Sequence, residues 1–312
     1  MTPCKASADR ERLLCITLSN IGDALMTTPV LETLHRVYPE AAIDIVADRR
    51  SSRIFECCPY RGDIIHKNKR EGWIGVWRLV RHLRRRYYRV IVDLRTDGLA
   101  WLLRGQRRLT RWGARARGPH AVERSYAVID ALSGGGRPPA TTVWLDDGVR
   151  TFATGALAAL PRGRWLALGP GANWEPKIWP LDHFRSLADL LAGEFDGLVI
   201  LGGKGDVGRA AGLAQGSPLP AINLAGATDL LQAAAVLERC TAFVGNDSGL
   251  GHLAAAVGTP TLTVFGPGQP ERYHPWVPRA DYVIAPDRDL RRLEAGNVAA
   301  RLRAHLQRLA TG

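Results

Sequence analysis

The chain has 312 residues, 46% hydrophobic and 23% charged, which is long enough for two ordinary domains with real cores and excludes a disordered polymer. Its net charge of +12 is uneven: residues 1–150 hold 27 Lys and Arg against 16 Asp and Glu, and residues 151–312 hold 15 against 14. The basic partner, if there is one, belongs to the first half and is nucleic acid, an anionic membrane or a phosphorylated substrate; a solvated basic face is the alternative.

Five cysteines, at 4, 15, 57, 58 and 240, form neither a CxxC pair nor a disulfide framework, which suits a reducing cytoplasm. Residues 1–12 are polar and lack the apolar core of a signal peptide. No stretch reaches the roughly 18–20 apolar residues of a membrane span, so membrane contact is expected to be peripheral.

Residues 13–18 read as a first strand running into Ser19-Asn20-Ile21-Gly22-Asp23-Ala24-Leu25. A second strand is expected at 42–46. Residues 78–89 read as a basic amphipathic helix with Trp73 and Trp77 just before it, which fits either docking to a membrane surface or a Leu/Val core stripe with a solvated Arg face. Residues 90–94 form the next strand, and Ser133-Gly134-Gly135-Gly136-Arg137-Pro138-Pro139 is the clearest breaker, with the domain boundary placed a little later, after residue 155. Further strands follow at 165–168, 198–201, 242–244 and 261–265, and a terminal helix at 297–309 has apolar Val298, Leu302, Leu306 and Leu309. The βαβ rhythm predicts two Rossmann-like domains, 1–155 and 156–312, with parallel helix-covered sheets facing each other.

Three strand-to-helix junctions carry the chemistry. The first follows residue 18, the second is Gly169-Pro170-Gly171-Ala172-Asn173-Trp174-Glu175-Pro176-Lys177, and the third is Gly245-Asn246-Asp247-Ser248-Gly249-Leu250-Gly251-His252 before an Ala-rich helix. Such turns aim free backbone N–H groups and the positive end of a helix dipole into a cleft, which suits a phosphate; together they point to an enzyme handling an anionic, nucleotide-like donor. Gly203-Lys204-Gly205-Asp206-Val207-Gly208 matches GxGxxG but lies mid-chain, without an acidic residue closing a following strand, so it does not define a dinucleotide site. Asp287-Arg288-Asp289 has the form of a metal-holding DxD pair, yet it precedes the terminal helix, where Asp caps free N–H groups. Residues 245–249 have one residue too many for a GxSxG elbow. No metal-ligand cluster is found.

Taken together, the junctions resemble glycosyltransferase family 9, the lipopolysaccharide heptosyltransferases of the GT-B fold. The matching segments are 16–31, like the family's opening strand, S-x-x-G-D turn and T-x-P helix; 169–180, ending in Lys177-Ile178-Trp179-Pro180; and 246–256 followed by Gly258-Thr259-Pro260 and Phe265-Gly266-Pro267. The resemblance implies an α/β GT-B protein that transfers a sugar, typically L-glycero-D-manno-heptose from its ADP donor, to a hydroxyl of a growing lipopolysaccharide core with inversion. It implies Asp23 as the base, a helix-terminal cap being the alternative. Lys177 is expected to neutralise the diphosphate, with Gly171, Ala172, Asn173, Ser248 and Gly249 adding donors. Asp247 and His252 would position the donor sugar, His252 as a core histidine being the alternative, while Asp206 would meet the ribose and Thr228 the adenine. Ala172 and Asn173 stand where family members often carry hydroxyl residues.

The implied partners are a nucleotide-sugar donor and an anionic glycolipid or glycan acceptor, with peripheral contact to the inner membrane, no nucleic acid and no required metal. The competing functions are a GT-B sugar-nucleotide epimerase and a basic nucleic-acid-binding protein, the latter lacking an RNP-type motif or zinc finger.

Overall fold

The computed structural model describes residues 10–67, 72–96 and 98–311; Cys4 and most of the polar N-terminal stretch lie outside them. The chain divides into two compact units, one up to Trp144 and one from Leu145. The division falls eleven residues before the expected one, because the helix Asp147–Ala156 packs on the helix Leu230–Glu238 of the second unit and is tied to it by the Arg150–Glu238 ion pair at 2.9 Å.

In the first unit, strands β1 (Arg12–Ile16), β2 (Ala42–Ala47), β3 (Arg61–His66), β4 (Tyr88–Asp93) and β5 (Gly105–Thr110) form one sheet in the order β3-β2-β1-β4-β5. In the second, β6 (Trp165–Gly169), β7 (Gly197–Ile200), β8 (Ala221–Asn223), β9 (Ala242–Asn246), β10 (Thr261–Phe265) and β11 (Ala280–Ile284) take the order β11-β10-β9-β6-β7-β8. Every pairing is parallel. Helices link successive strands, so each unit is the α/β class expected of the sequence.

The central strands β1, β4, β9 and β10 are apolar runs that the sheets bury almost completely. Beneath the second sheet, Trp179, Phe184, Leu187 and Leu191 pack with Val298 and Leu302 of the terminal helix, which spans Ala295–Thr311 and so starts two residues earlier than expected.

The basic helix is as long as expected but lies six residues earlier. It spans Gly72–Leu83, and the chain then turns so that Tyr88, fully buried, opens β4 with its hydroxyl on Asp44 at 3.3 Å. Arg86 therefore leaves the helix and bonds Asp44 at 2.7 Å and Asp63 at 2.6 Å.

Candidate active site

Each sheet has one place where the direction of winding reverses, and in open α/β sheets ligands bind at the carboxyl end of the strands there. In the second unit this point lies between β6 and β9, which puts two of the three sequence junctions side by side. Asn246, at the end of β9, is fully buried and its Oδ1 accepts a hydrogen bond from the Trp179 amide at 3.0 Å. The Trp179 indole donates to the Leu293 carbonyl at 2.8 Å. The loop after β6 is thus pinned at its far end, and the short 3-10 turn Glu175–Lys177 within it carries Lys177 toward the end of β9. There the Lys177 ammonium donates to Asp247 Oδ2 at 2.6 Å, with a quarter of the lysine and 9% of the aspartate side chain exposed.

Beside that pair the helix Gly249–Ala256 begins. Ser248 is its N-cap in extended geometry, yet its hydroxyl makes no capping bond and is buried without a partner. The first-turn amides of a helix have no partner within the helix, so the hydroxyl, the amides and the helix dipole all remain available to an anion. His252, one turn further in, is 6% exposed.

Gly171 is buried, and a Cβ there would lie 2.1–2.3 Å from the Asp206 carboxylate; the glycine lets the loops after β6 and β7 touch. Asp206 closes its own turn, accepting from the Gly203 amide at 2.8 Å, with Arg209 3.8 Å away. The segment that read as GxGxxG is this turn followed by the helix Val207–Gln215. Gly226 donates to the Gly202 carbonyl at 2.9 Å, joining the loops after β7 and β8. Thr228, half-buried, lies in the latter loop just before Asp229, which caps the helix Leu230–Glu238. Ala172 is half-buried and Asn173 exposed. The structure therefore brings Lys177, Asp247, Ser248 and Gly249 together, sets Asp206 against Gly171, and leaves Thr228 one strand further out. A cavity of about 670 Å³ bounded by Pro170, Trp179, Arg209, Pro267 and Arg288 adjoins these loops without including Lys177, Asp247 or Ser248.

In the first unit the reversal lies between β1 and β4. The turn after β1 leads into the helix Ile21–Leu25, whose N-cap is Asn20, and the Asn20 side-chain amide donates to Asp23 Oδ2 at 2.9 Å. Asp23 is thus not the cap; it sits half-buried inside the first turn. At the end of β4, fully buried Asp93 accepts from the amides of Arg95 at 3.0 Å and Thr96 at 2.7 Å. That turn directs the Arg95 guanidinium onto the Ser19 hydroxyl. Sequence reasoning missed Arg95 and the pinning role of Asn246; the available signal for the former was Asp93-Leu94-Arg95-Thr96 at the end of an apolar strand, an Asp placed to accept from the amide two residues on in an Asx turn.

The Asp287-Arg288-Asp289 segment needs a correction. Asp289 caps the short turn Leu290–Arg292, accepting from the Arg291 amide at 3.0 Å, and not the terminal helix, because Leu290 and Leu293 must be buried before that helix starts. Asp287 pairs with Arg292 and Asp289 with Arg291 at 2.7 Å. Asp287 and Arg288 hold φ of 49° and 60°, a left-handed conformation that is strained for side chains of this size. Among the described residues no group of three or more His, Cys, Asp or Glu is arranged to hold a metal. Burial pushes the thiols of Cys15, Cys58 and Cys240 up to about 12, so none of these is a thiolate nucleophile near neutral pH.

An ammonium, a helix start and a glycine-opened loop over one switch point, with a carboxylate one strand out, are the features of an enzyme domain that binds a nucleoside diphosphate. The sequence model of glycosyltransferase family 9 (heptosyltransferase) matches residues 76–301, and the chain belongs to that family. It is 27% identical over 290 residues to lipopolysaccharide heptosyltransferase 3 of Escherichia coli K12, covering 82% of each chain. It is 30% identical over 296 residues to lipopolysaccharide heptosyltransferase 1 of Pseudomonas aeruginosa, covering 83% of this chain and 79% of the relative. The solved structure of the E. coli ADP-heptose lipopolysaccharide heptosyltransferase II superposes with a TM-score of 0.78 at 25% identity, over 96% of this chain and 99% of that one. The chain is a glycosyltransferase of the GT-B fold class, and a nucleotide-sugar donor follows from that class. No helix among the described residues is long and apolar enough to cross a membrane.

Proposed function

We propose that the protein is an inverting heptosyltransferase that moves L-glycero-D-manno-heptose from its ADP donor onto a hydroxyl of a lipopolysaccharide core. The observation that carries the reading is the Lys177–Asp247 pair beside the unclaimed Ser248 hydroxyl and helix start. Two of the three ammonium protons remain for phosphate oxygens once Asp247 holds the third. On this reading Lys177, Ser248 and the Gly249 amide take up the charge that develops as the bond between the anomeric carbon and the diphosphate oxygen breaks. Gly171, Ala172 and Asn173 shape the other wall of the diphosphate site, Asp247 and His252 orient the sugar, Asp206 meets the ribose and Thr228 the adenine.

Asp23 removes the proton from the acceptor hydroxyl, whose oxygen attacks the anomeric carbon from the face opposite the leaving diphosphate, so the configuration inverts. A lysine and a helix start supply the positive charge, and the Asp287 and Asp289 carboxylates are engaged by arginines; the reaction is therefore proposed to run without a divalent metal. The acceptor is an anionic glycolipid met at the cytoplasmic face of the inner membrane, and the basic first unit binds no nucleic acid. Calorimetry of ADP, ADP-heptose and UDP-sugars tests the donor site directly: selective binding of the adenine nucleotides supports it, and preference for a UDP-sugar removes the adenine and heptose assignment.

A further inference from the structure

On the helix Gly72–Leu83, the residues buried against the first sheet are Gly75, Leu79 and Leu83. Trp73 and Trp77 lie two positions from Gly75 and Leu79, about 200° round a helix of 3.6 residues per turn, and so on the far side from the core. They are 88% and 60% exposed, with Ile74 beside them at 63%. Packing within the unit accounts for none of the three.

Arg81 stacks its guanidinium 5.4 Å from the Trp77 ring centre, and Arg108 on β5 does the same at 5.9 Å from exposed Trp101. Trp73, Trp77, Arg81, Arg84, Arg85 and Leu102 line an open groove of about 600 Å³. Residues 72–112 contain eleven arginines and two acidic residues, Asp93 and Asp97, and Asp93 is buried in its own turn.

We propose that this face docks on the interface of an anionic phospholipid bilayer. Indole rings belong at the boundary between headgroups and acyl chains, and arginines flanking them reach phosphates while their stems lie on apolar surface. An apolar patch ringed by arginines, without an exposed carboxylate on its helix, complements a surface that is apolar inside and negative outside. The inference deepens the proposed reaction by naming the surface through which the protein reaches a lipid-borne acceptor, and its test involves no transfer.

The full chain is floated with vesicles of phosphatidylcholine alone or mixed with an equal part of phosphatidylglycerol, without donor or acceptor. Binding is expected to the mixed vesicles and not to the neutral ones, and to fall as salt is raised. Replacing Arg81, Arg84 or Arg85 by Gln should weaken it about fivefold per residue. The Trp73→Ala/Trp77→Ala variant, altered only at exposed positions, should lose at least about tenfold in partitioning, given the apolar area removed, while its thermal unfolding stays as in the wild type. Unchanged partitioning of that variant, or absence of wild-type binding to mixed vesicles, overturns the proposal. So does sedimentation showing a wild-type dimer that the double variant lacks, since the groove would then be a self-association surface. Failure of the proposed transfer reaction would leave vesicle binding intact, and a docking failure would leave transfer to detergent-dispersed acceptor intact, so the two are told apart.

Discussion

Replacing Lys177 by Ala should have two separable effects. Asp247, 9% exposed, loses the ammonium held at 2.6 Å. A fully buried charge stripped of its partner costs about 3–5 kcal/mol; because Lys177 is a quarter exposed, water screens part of this, and about 1–3 kcal/mol is expected. For a unit of this size that lowers the melting temperature by about 2–10 °C. The second effect is on the donor: at least one charge-assisted hydrogen bond to the diphosphate, about 1.5–3 kcal/mol, is lost, so ADP should bind at least about tenfold more weakly.

Adding Asp247→Asn removes the orphaned charge. The double variant should therefore recover most of the thermal stability without recovering ADP affinity. Differential scanning calorimetry and isothermal titration calorimetry read the two quantities independently. If the folded Lys177→Ala protein binds ADP as the wild type does, the ammonium is a structural tie to Asp247 and the assignment of the diphosphate site is refuted.

Asp23→Asn should lower kcat by about 10²- to 10⁴-fold with the melting temperature nearly unchanged, because Asp23 is not at the N-cap position and an Asn there can still accept from the Asn20 side-chain amide; near-wild-type turnover would dismiss Asp23 as the base. Transfer should persist in EDTA, and loss of activity restored by Mn²⁺ or Mg²⁺ would refute the metal-free proposal. His305, on the terminal helix, is held below its ordinary value of 6.5 by burial, although the Arg279 carbonyl and Asp281 pull the other way. The unfolded chain thus takes up the proton more readily, so this contribution to stability is complete above pH 6.5 and declines as the pH falls below it. A His305→Gln variant should show a shallower fall in melting temperature between neutral and mildly acid pH, and an identical slope would exclude His305 as a source.

The sequence showed the strands that the fold buries on both faces and concealed those at the sheet margins. β1, β4, β9 and β10 are mostly apolar or β-branched because helices cover both sides. Arg61–His66, Gly105–Thr110, Ala221–Asn223 and Ala280–Ile284, none of them expected, are the four edge strands; half-exposed and polar, they offer neither an apolar run nor clean alternation. The domain boundary was misplaced for a related reason: Gly134 and Gly135 mark a turn with positive φ, but the assignment of Asp147–Ala156 depends on a tertiary contact with Leu230–Glu238 that no local signal records.

The loops and helix start of the proposed donor site were largely legible, since glycine and helix-start chemistry are local. That Lys177 meets Asp247, seventy positions away, and that Asn246 pins Trp179 follow from strand order, which the motifs do not encode. The same holds for Arg95 and Ser19, brought together by the pairing of β1 with β4.

The central claim is tested most directly by incubating the purified protein in EDTA with ADP-L-glycero-D-manno-heptose and a lipopolysaccharide core acceptor, and following ADP release alongside the acceptor's mass. The account predicts that each ADP released is matched by one heptose gained on the acceptor, joined with inverted anomeric configuration. ADP release without acceptor gain, or conversion of the donor to an isomer in the absence of acceptor, would contradict it.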